Sequence, residues 1–240
     1  AVDRNDRKAA EPVFEARGAI QLARGITLWT MGQLHPSIES FAEALVIYRA
    51  LGQTRDEARA LNNMGIVFAA LGEFEEALAH YKSALKLDQQ NGDRAGIALK
   101  LGNIGQCYAD LGDLDRAESY LTRAITLAEQ TGDVSASSDS TISLGQVYLQ
   151  RHDHKAAIAM LERGLNLATA NRERYQEIRA LQYIALTQLR AEYAPEGALD
   201  LARSSVDMAR KMPMAVGVMY GLAFSALALS RRRAATCGCR

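Results

Sequence analysis

Residues 61–85 read LNNMGIVFAALGEFEEALAHYKSAL, and residues 101–125 read LGNIGQCYADLGDLDRAESYLTRAI. The two phrases lie forty residues apart without gaining or losing a position, and the spacing runs well beyond them. Gly25, Gly65, Gly105 and Gly145 stand at forty-residue intervals, with Ala185 in the fifth place. Seven residues after each come Gly32, Gly72 and Gly112, then His152 and Glu192. Ala44, Ala84, Ala124 and Gly164 mark another phase; Gly52, Gly92 and Gly132 close their units, with Arg172 in the fourth place. Self-similarity at one period over five units is the mark of stacked repeats, each burying its apolar face only against its neighbours.

Within a unit the apolar spacing is helical. Leu61, Met64, Phe68 and Leu71 share one face of a first helix, and Phe74, Leu78, Tyr81 and Leu85 share one face of a second. Gly72 separates the two helices and Gly92 ends the second, because glycine readily takes the left-handed conformation that stops a helix. Asp93 is placed to cap the helix that follows. Thr54 and Glu57 have the spacing of a capping box one unit earlier. Gly65, Ala77 and Ala84 are expected where the paired helices approach closely. A helical glycine costs about 0.5–1 kcal/mol relative to alanine, so four at one phase imply a contact that needs the space.

Composition excludes several functions. Of 240 residues 48% are apolar and 23% charged, ordinary for a folded soluble chain. Lys plus Arg and Asp plus Glu each number 28, so there is no basic footprint for nucleic acid. Cys107, Cys237 and Cys239 are too few for a disulfide framework. Cys107 falls at an internal helical position and reads as packed. The Cys237/Cys239 pair cannot fill a four-ligand zinc site alone. No apolar leader opens the chain, so a cytoplasmic setting is expected. A first residue other than Met reads as processing or as a piece of something longer.

Met64, Gly65, Phe68, Gly72, Ala77, Tyr81 and Ala84 resemble the tetratricopeptide repeat, a helix–turn–helix unit. The forty-residue form is similar to the Leu-Gly-Asn repeats of adaptor proteins, to kinesin light chains and to arrays in bacterial signalling proteins. The resemblance implies an all-α fold, a right-handed α-solenoid of antiparallel helix pairs. A charged segment at 1–14 is expected to precede five units, at approximately 15–53, 54–93, 94–133, 134–173 and 174–212. The first and last units depart from the pattern. Ser37 stands in the place of Ala77, and Ala198 and Ser205 come one residue late after "RAEYAPEGA". Residues 213–230 carry no charge, which permits a membrane span. Ser225 is nonetheless in phase with the repeat glycines, so the segment reads as a sixth-unit or capping helix, able to self-associate if left uncovered. A basic mobile tail at 231–240 follows.

No catalytic constellation is present. "GNIGQC" lacks the Lys-Ser/Thr of a phosphate loop. His152 and His154 lie in a turn without a third ligand, so neither metal nor cofactor is expected. The resemblance implies instead that the first helix of each unit lines a concave groove for a peptide or protein segment. The positions it implies are Ala19, Leu22, Ile26 and Trp29 in the first unit and Arg59, Asn62, Asn63, Ile66 and Ala70 in the second. In the third they are Asn103, Gln106 and Asp110, and in the fourth Asp139, Ser143, Gln146 and Gln150. Arg179, Gln182, Tyr183 and Arg190 complete the set. Asn63 and Asn103 match the family asparagine that clamps peptide backbone, and Arg59 and Arg179 are expected to meet acidic ligand side chains. The function so implied is a non-enzymatic protein-binding scaffold without nucleic-acid or membrane partners. The alternative is the sensor portion of a larger signalling ATPase, kinase or protease.

Overall fold

The structure, a computed structural model, describes the backbone of residues 4–191 and 195–210 and the side chains of 12–191 and 197–210. The segment 213–230, the tail 231–240 with Cys237 and Cys239, and Glu192 lie outside the described residues. Among the described residues there are ten helices and no strand. They are α1 (Arg4–Thr30), α2 (Leu34–Leu51), α3 (Thr54–Leu71), α4 (Phe74–Asn91), α5 (Arg94–Asp110), α6 (Leu114–Thr131), α7 (Val134–Gln150), α8 (His154–Ala170), α9 (Arg174–Arg190) and α10 (Pro195–Arg210). Helix α1 therefore begins within the charged opening segment. The chain forms two compact units, Ala1–Cys107 and Tyr108–Arg240.

Sequence chemistry sets a finer beat than forty residues. Helices α2 to α8 each end at a left-handed residue followed at once by the next N-cap, and the pair recurs every twenty residues from Gly52-Gln53 to Arg172-Glu173. At Gly72 (φ +81°) the Glu73 N–H reaches back to Phe68 O at 2.9 Å, closing the last turn of α3. At the starts of α5, α6, α7 and α8, the carboxylates of Asp93, Asp113, Asp133 and Asp153 accept from the N–H groups of Gly96, Arg116, Ala136 and Ala156 at 2.9–3.1 Å. The capping box expected at Thr54 and Glu57 does not form. Gln53 holds the cap position without a side-chain bond, Thr54 Oγ1 donates to Asn91 Oδ1, and Glu57 pairs with Arg49. The left-handed glycine fixes the start one residue earlier than the Thr/Glu spacing implies.

In the first unit the core gathers Leu22, Phe41, Tyr48, Leu61, Met64 and Val67 around the alanines Ala44 and Ala84. The space at the repeat glycine is taken chiefly by a large side chain sixteen residues on, and at Gly145 the facing backbone is close too, with Leu161 N 3.2 Å from where a β-carbon would lie. A β-carbon at Gly65 would lie 2.6 Å from Tyr81 Cε1, and one at Gly145 would lie 2.6 Å from Leu161 Cγ. Ser37, in the alanine position, is fully buried and donates to Leu34 O of its own helix at 2.6 Å. Between α4 and α5, Lys100 Nζ and Asp88 Oδ2 form a buried ion pair at 3.1 Å. Burial pushes the Asp88 carboxyl above the usual range while Lys100 pulls it down.

In the second unit Ile142, Leu161, Ala180 and Ile184 pack together, and Ala185, Leu189, Ala198 and Ala202 form a further cluster. Ala198 and Ser205 are fully buried, so the repeat phase resumes one residue late after the longer turn. Cys107 is buried in α5. None of the described helices is long and apolar enough to cross a membrane.

Candidate binding surface

Contacts between alternate helices define an inner row. In the first unit α1 touches α3, whereas α2 and α4 do not touch; in the second α7 touches α9, whereas α6 and α8 do not. Helices on the inside of a curve crowd together and those outside spread apart. The odd-numbered helices are thus the inner row within each unit.

That row carries polar rungs between repeats. Asn103 Nδ2 of α5 donates to Asn62 Oδ1 of α3 at 2.9 Å. The sequence phase pairs Asn103 with Asn63, but the rung joins residues forty-one apart, so Asn62 is its partner. Asn62 is only 6% exposed and Asn63 is half-buried beside it. In the second unit the Arg179 guanidinium of α9 bonds the Asp139 carboxylate of α7 and reaches Ser143 Oγ at 3.4 Å. It also lies over the Tyr175 ring, 5.8 Å from its centroid. Burial pulls this guanidinium down, but Asp139, Tyr175 and Tyr183 more than offset that and hold it above its ordinary value. Burial raises the Tyr183 phenol, opposed by Arg179.

The positions implied by the resemblance divide in two. Leu22, Asn62, Ser143, Gln146 and Gln182 are each less than a tenth exposed, so they sit in the seams between helices rather than turned outward. The neighbouring repeat covers them. Ile66, Gln106, Gln150, Arg179 and Tyr183 are half-buried, while Ala19, Arg59, Ala70, Asp110 and Arg190 are exposed. Ile26 and Trp29 keep 39% and 38% of their surface open. The two arginines expected to await acidic ligand groups already hold carboxylates of the chain, Arg59 with Asp56 at 2.9 Å and Arg179 with Asp139. The Arg59–Asp56 pair has the i, i+3 spacing of one helix face, whereas only packing brings Asp139 of α7 to Arg179 of α9.

The turn histidines take a structural place. His152 adopts a left-handed backbone (φ +63°) where the earlier units have glycine, and its ring meets His154 edge-on at 6.2 Å between centroids. Among the described residues no cluster of three or more His, Cys, Asp or Glu side chains could hold a metal ion.

Comparison with known proteins agrees with the repeat pattern. BtubC (BKLC) from P. vanneervenii is 26% identical, with a TM-score of 0.57, over 65% of this chain and 65% of its own. Aspartyl phosphate phosphatase F from Bacillus subtilis is 17% identical over 90% of this chain and 59% of its own, with a TM-score of 0.68. A Rap protein complexed with Competence and Sporulation Factor gives 18%, 92%, 63% and 0.68 on the same measures. The chain thus spans less than two thirds of the length of each, and at 17–18% identity the likeness is one of fold. No curated protein sequence matches the chain. The tetratricopeptide repeat family matches residues 17–90 and 96–170, more than half of the sequence, and the chain belongs to that family.

Proposed function

We propose that the chain is a protein-interaction scaffold that binds a peptide or protein segment along its inner-row helices. The observation that carries this reading is the unspent amide capacity at the Asn62–Asn103 rung. That bond uses one hydrogen of Asn103 and one oxygen of Asn62. It leaves the Asn103 carbonyl as an acceptor, and the half-buried Asn63 makes no hydrogen bond among the described residues, so its amide is left as a donor. A donor beside an acceptor matches the two polar atoms of a peptide group, whatever side chains the ligand carries. A Rap protein in complex with Competence and Sporulation Factor offers a precedent for a bound factor on a similar fold. The reading assigns the chain no catalytic step, no nucleic-acid or membrane partner, and a cytoplasmic setting.

Affinity capture with the 240-residue chain, followed by titration of the captured partner, tests it. Asn63→Ala with Asn103→Ala should weaken binding about ten- to a hundredfold, since each backbone hydrogen bond contributes about 0.5–1.5 kcal/mol. Helix content should hold, alanine being the better helix former. Asn62→Ala alone separates the rung from the ligand contact, and Lys86→Ala on α4 is the outer-row control. Equal losses from Lys86→Ala and the double asparagine variant would move the site off the inner row.

A further inference from the structure

The inner side of the first unit holds a recess between α1 and α3 whose chemistry is not that of a general peptide groove. Its walls on α1 are aliphatic, formed by Ala19, Leu22, Ala23 and Ile26. Glu15 stands at one edge, and Gln53, Asp56 and Arg59 stand on the α3 side. Arg59 is bound to Asp56, and Glu15 has no ion pair among the described residues. Among the described residues, two carboxylates against one guanidinium leave one negative charge in excess.

Two further polar groups lack partners. Tyr48 lines the recess, is only 3% exposed, and its hydroxyl makes no hydrogen bond among the described residues. Its ring leans on α1 at Gly18, where a β-carbon would lie 3.0 Å from Tyr48 Cε1. The phenol is held above its usual range by burial first and then by Asp56, with Arg59 and Glu15 also acting on it. The three charges that act on it all belong to the recess. The side-chain carbonyl of Gln53 is likewise buried without a partner.

We propose that this recess takes a lysine or arginine side chain of the bound segment, with its methylene stem on Leu22, Ala23 and Ile26 and its cationic head among Glu15, Asp56, Gln53 and Tyr48. The inference rests on the inner row being the binding surface. Lysine and arginine heads are pure donors on apolar stems, the complement of an acceptor-rich end on an aliphatic wall. An acidic side chain would meet Glu15 unpaired and an arginine already bound. A purely apolar side chain would leave the Gln53 carbonyl buried and unsatisfied.

Four blocked tripeptides test this against the 240-residue protein by NMR: acetyl-Ala-Lys-Ala-amide, its Arg counterpart, a norleucine control and a Glu control. The Lys or Arg peptide should give saturable shifts at the Tyr48 ring and the Gln53 side-chain amide, and the controls should give none. Glu15→Gln with Asp56→Asn should weaken that binding by about three- to tenfold at low salt, and by less at high salt. Should the double variant lose its native spectrum, Glu15→Gln alone, which breaks no ion pair, must still weaken binding. Absence of saturable shifts, or equal binding of the norleucine peptide, overturns the proposal. The tripeptides are too short to need the asparagines, so Asn63→Ala with Asn103→Ala should leave their binding unchanged. A captured partner that depends on those asparagines while no basic tripeptide binds would refute the basic anchor and spare the inner-row reading. A tripeptide bound at Tyr48, with a partner indifferent to the asparagines, would support the basic anchor and overturn the asparagine contact alone.

Discussion

A single backbone angle shows how far this chain has drifted from its own repeat. His152 and Arg172 occupy turn positions held by glycine in the preceding units, and both keep the left-handed conformation, at φ +63° and +59°. The neighbouring helices dictate the turn, so a residue with a β-carbon is held in a conformation it avoids. Where Gly65 meets the Tyr81 ring the constraint is the reverse, because there is space for a glycine and for nothing larger. His152→Gly and Arg172→Gly should each stabilise the fold by about 1 kcal/mol, the left-handed cost less the extra chain entropy of glycine. Chemical denaturation of the two variants measures this. A loss of stability on either substitution would mean that the side chain makes a contact outweighing its backbone strain.

At the level of the helix, initiation is carried by one oxygen. Four successive helices start on an aspartate whose carboxylate takes the N–H three residues on, whereas α3 and α4 start on Gln53 and Glu73 with no such bond. The difference is one of side-chain length: aspartate reaches the third amide from the cap position, and glutamate overshoots it. Asp153→Ala should cost about 1 kcal/mol, and Glu73→Asp should recover about half of such a cap or more. Thermal unfolding of the two variants, which should shift in opposite directions, checks the pair. The Asp113 carboxylate has a second partner in the Arg116 side chain, whose hydrogen bond, with that of the Arg116 N–H, holds it below the usual carboxylate range. Its cap is therefore present above the ordinary aspartate pKa and fades only as pH falls through the depressed one.

Across the whole chain, stability is a sum over neighbours. Among the described residues, helices within each unit touch the next helix or the next but one. Damage should accordingly stay near where it is made. Gly65→Leu, which drives a side chain into the Tyr81 ring, should cost about 1–3 kcal/mol. Hydrogen exchange followed residue by residue should quicken in α3 and α4 and change little in α8 and α9. Uniform acceleration along the chain would show that the two units unfold as one.

The sequence alone determined the helix pairs, their forty-residue period, the turn glycines and the family. Each of these follows from local chemistry repeated in register: helical spacing of apolar residues, a left-handed stop, a capping side chain. Local spacing also misled. It put the cap of α3 on Thr54 rather than Gln53, and it gave no sign that Asn103 bonds Asn62. The twenty-residue series of cap aspartates was legible at Asp93, and the same Gly-Asp step at 112–113 and 132–133 signals the next two. What only the tertiary structure decided is which inner-row groups are already spoken for. Arg179 reads in sequence as a free cation, but Asp139 one repeat away neutralises it; Asp56, three residues from Arg59 on one helix, was the partner that spacing alone allowed. The recess at Tyr48 is likewise invisible in any one segment, since α1, α2 and α3 each contribute a wall. A repeat period records what every unit shares, whereas pairing between side chains depends on distances that only packing sets.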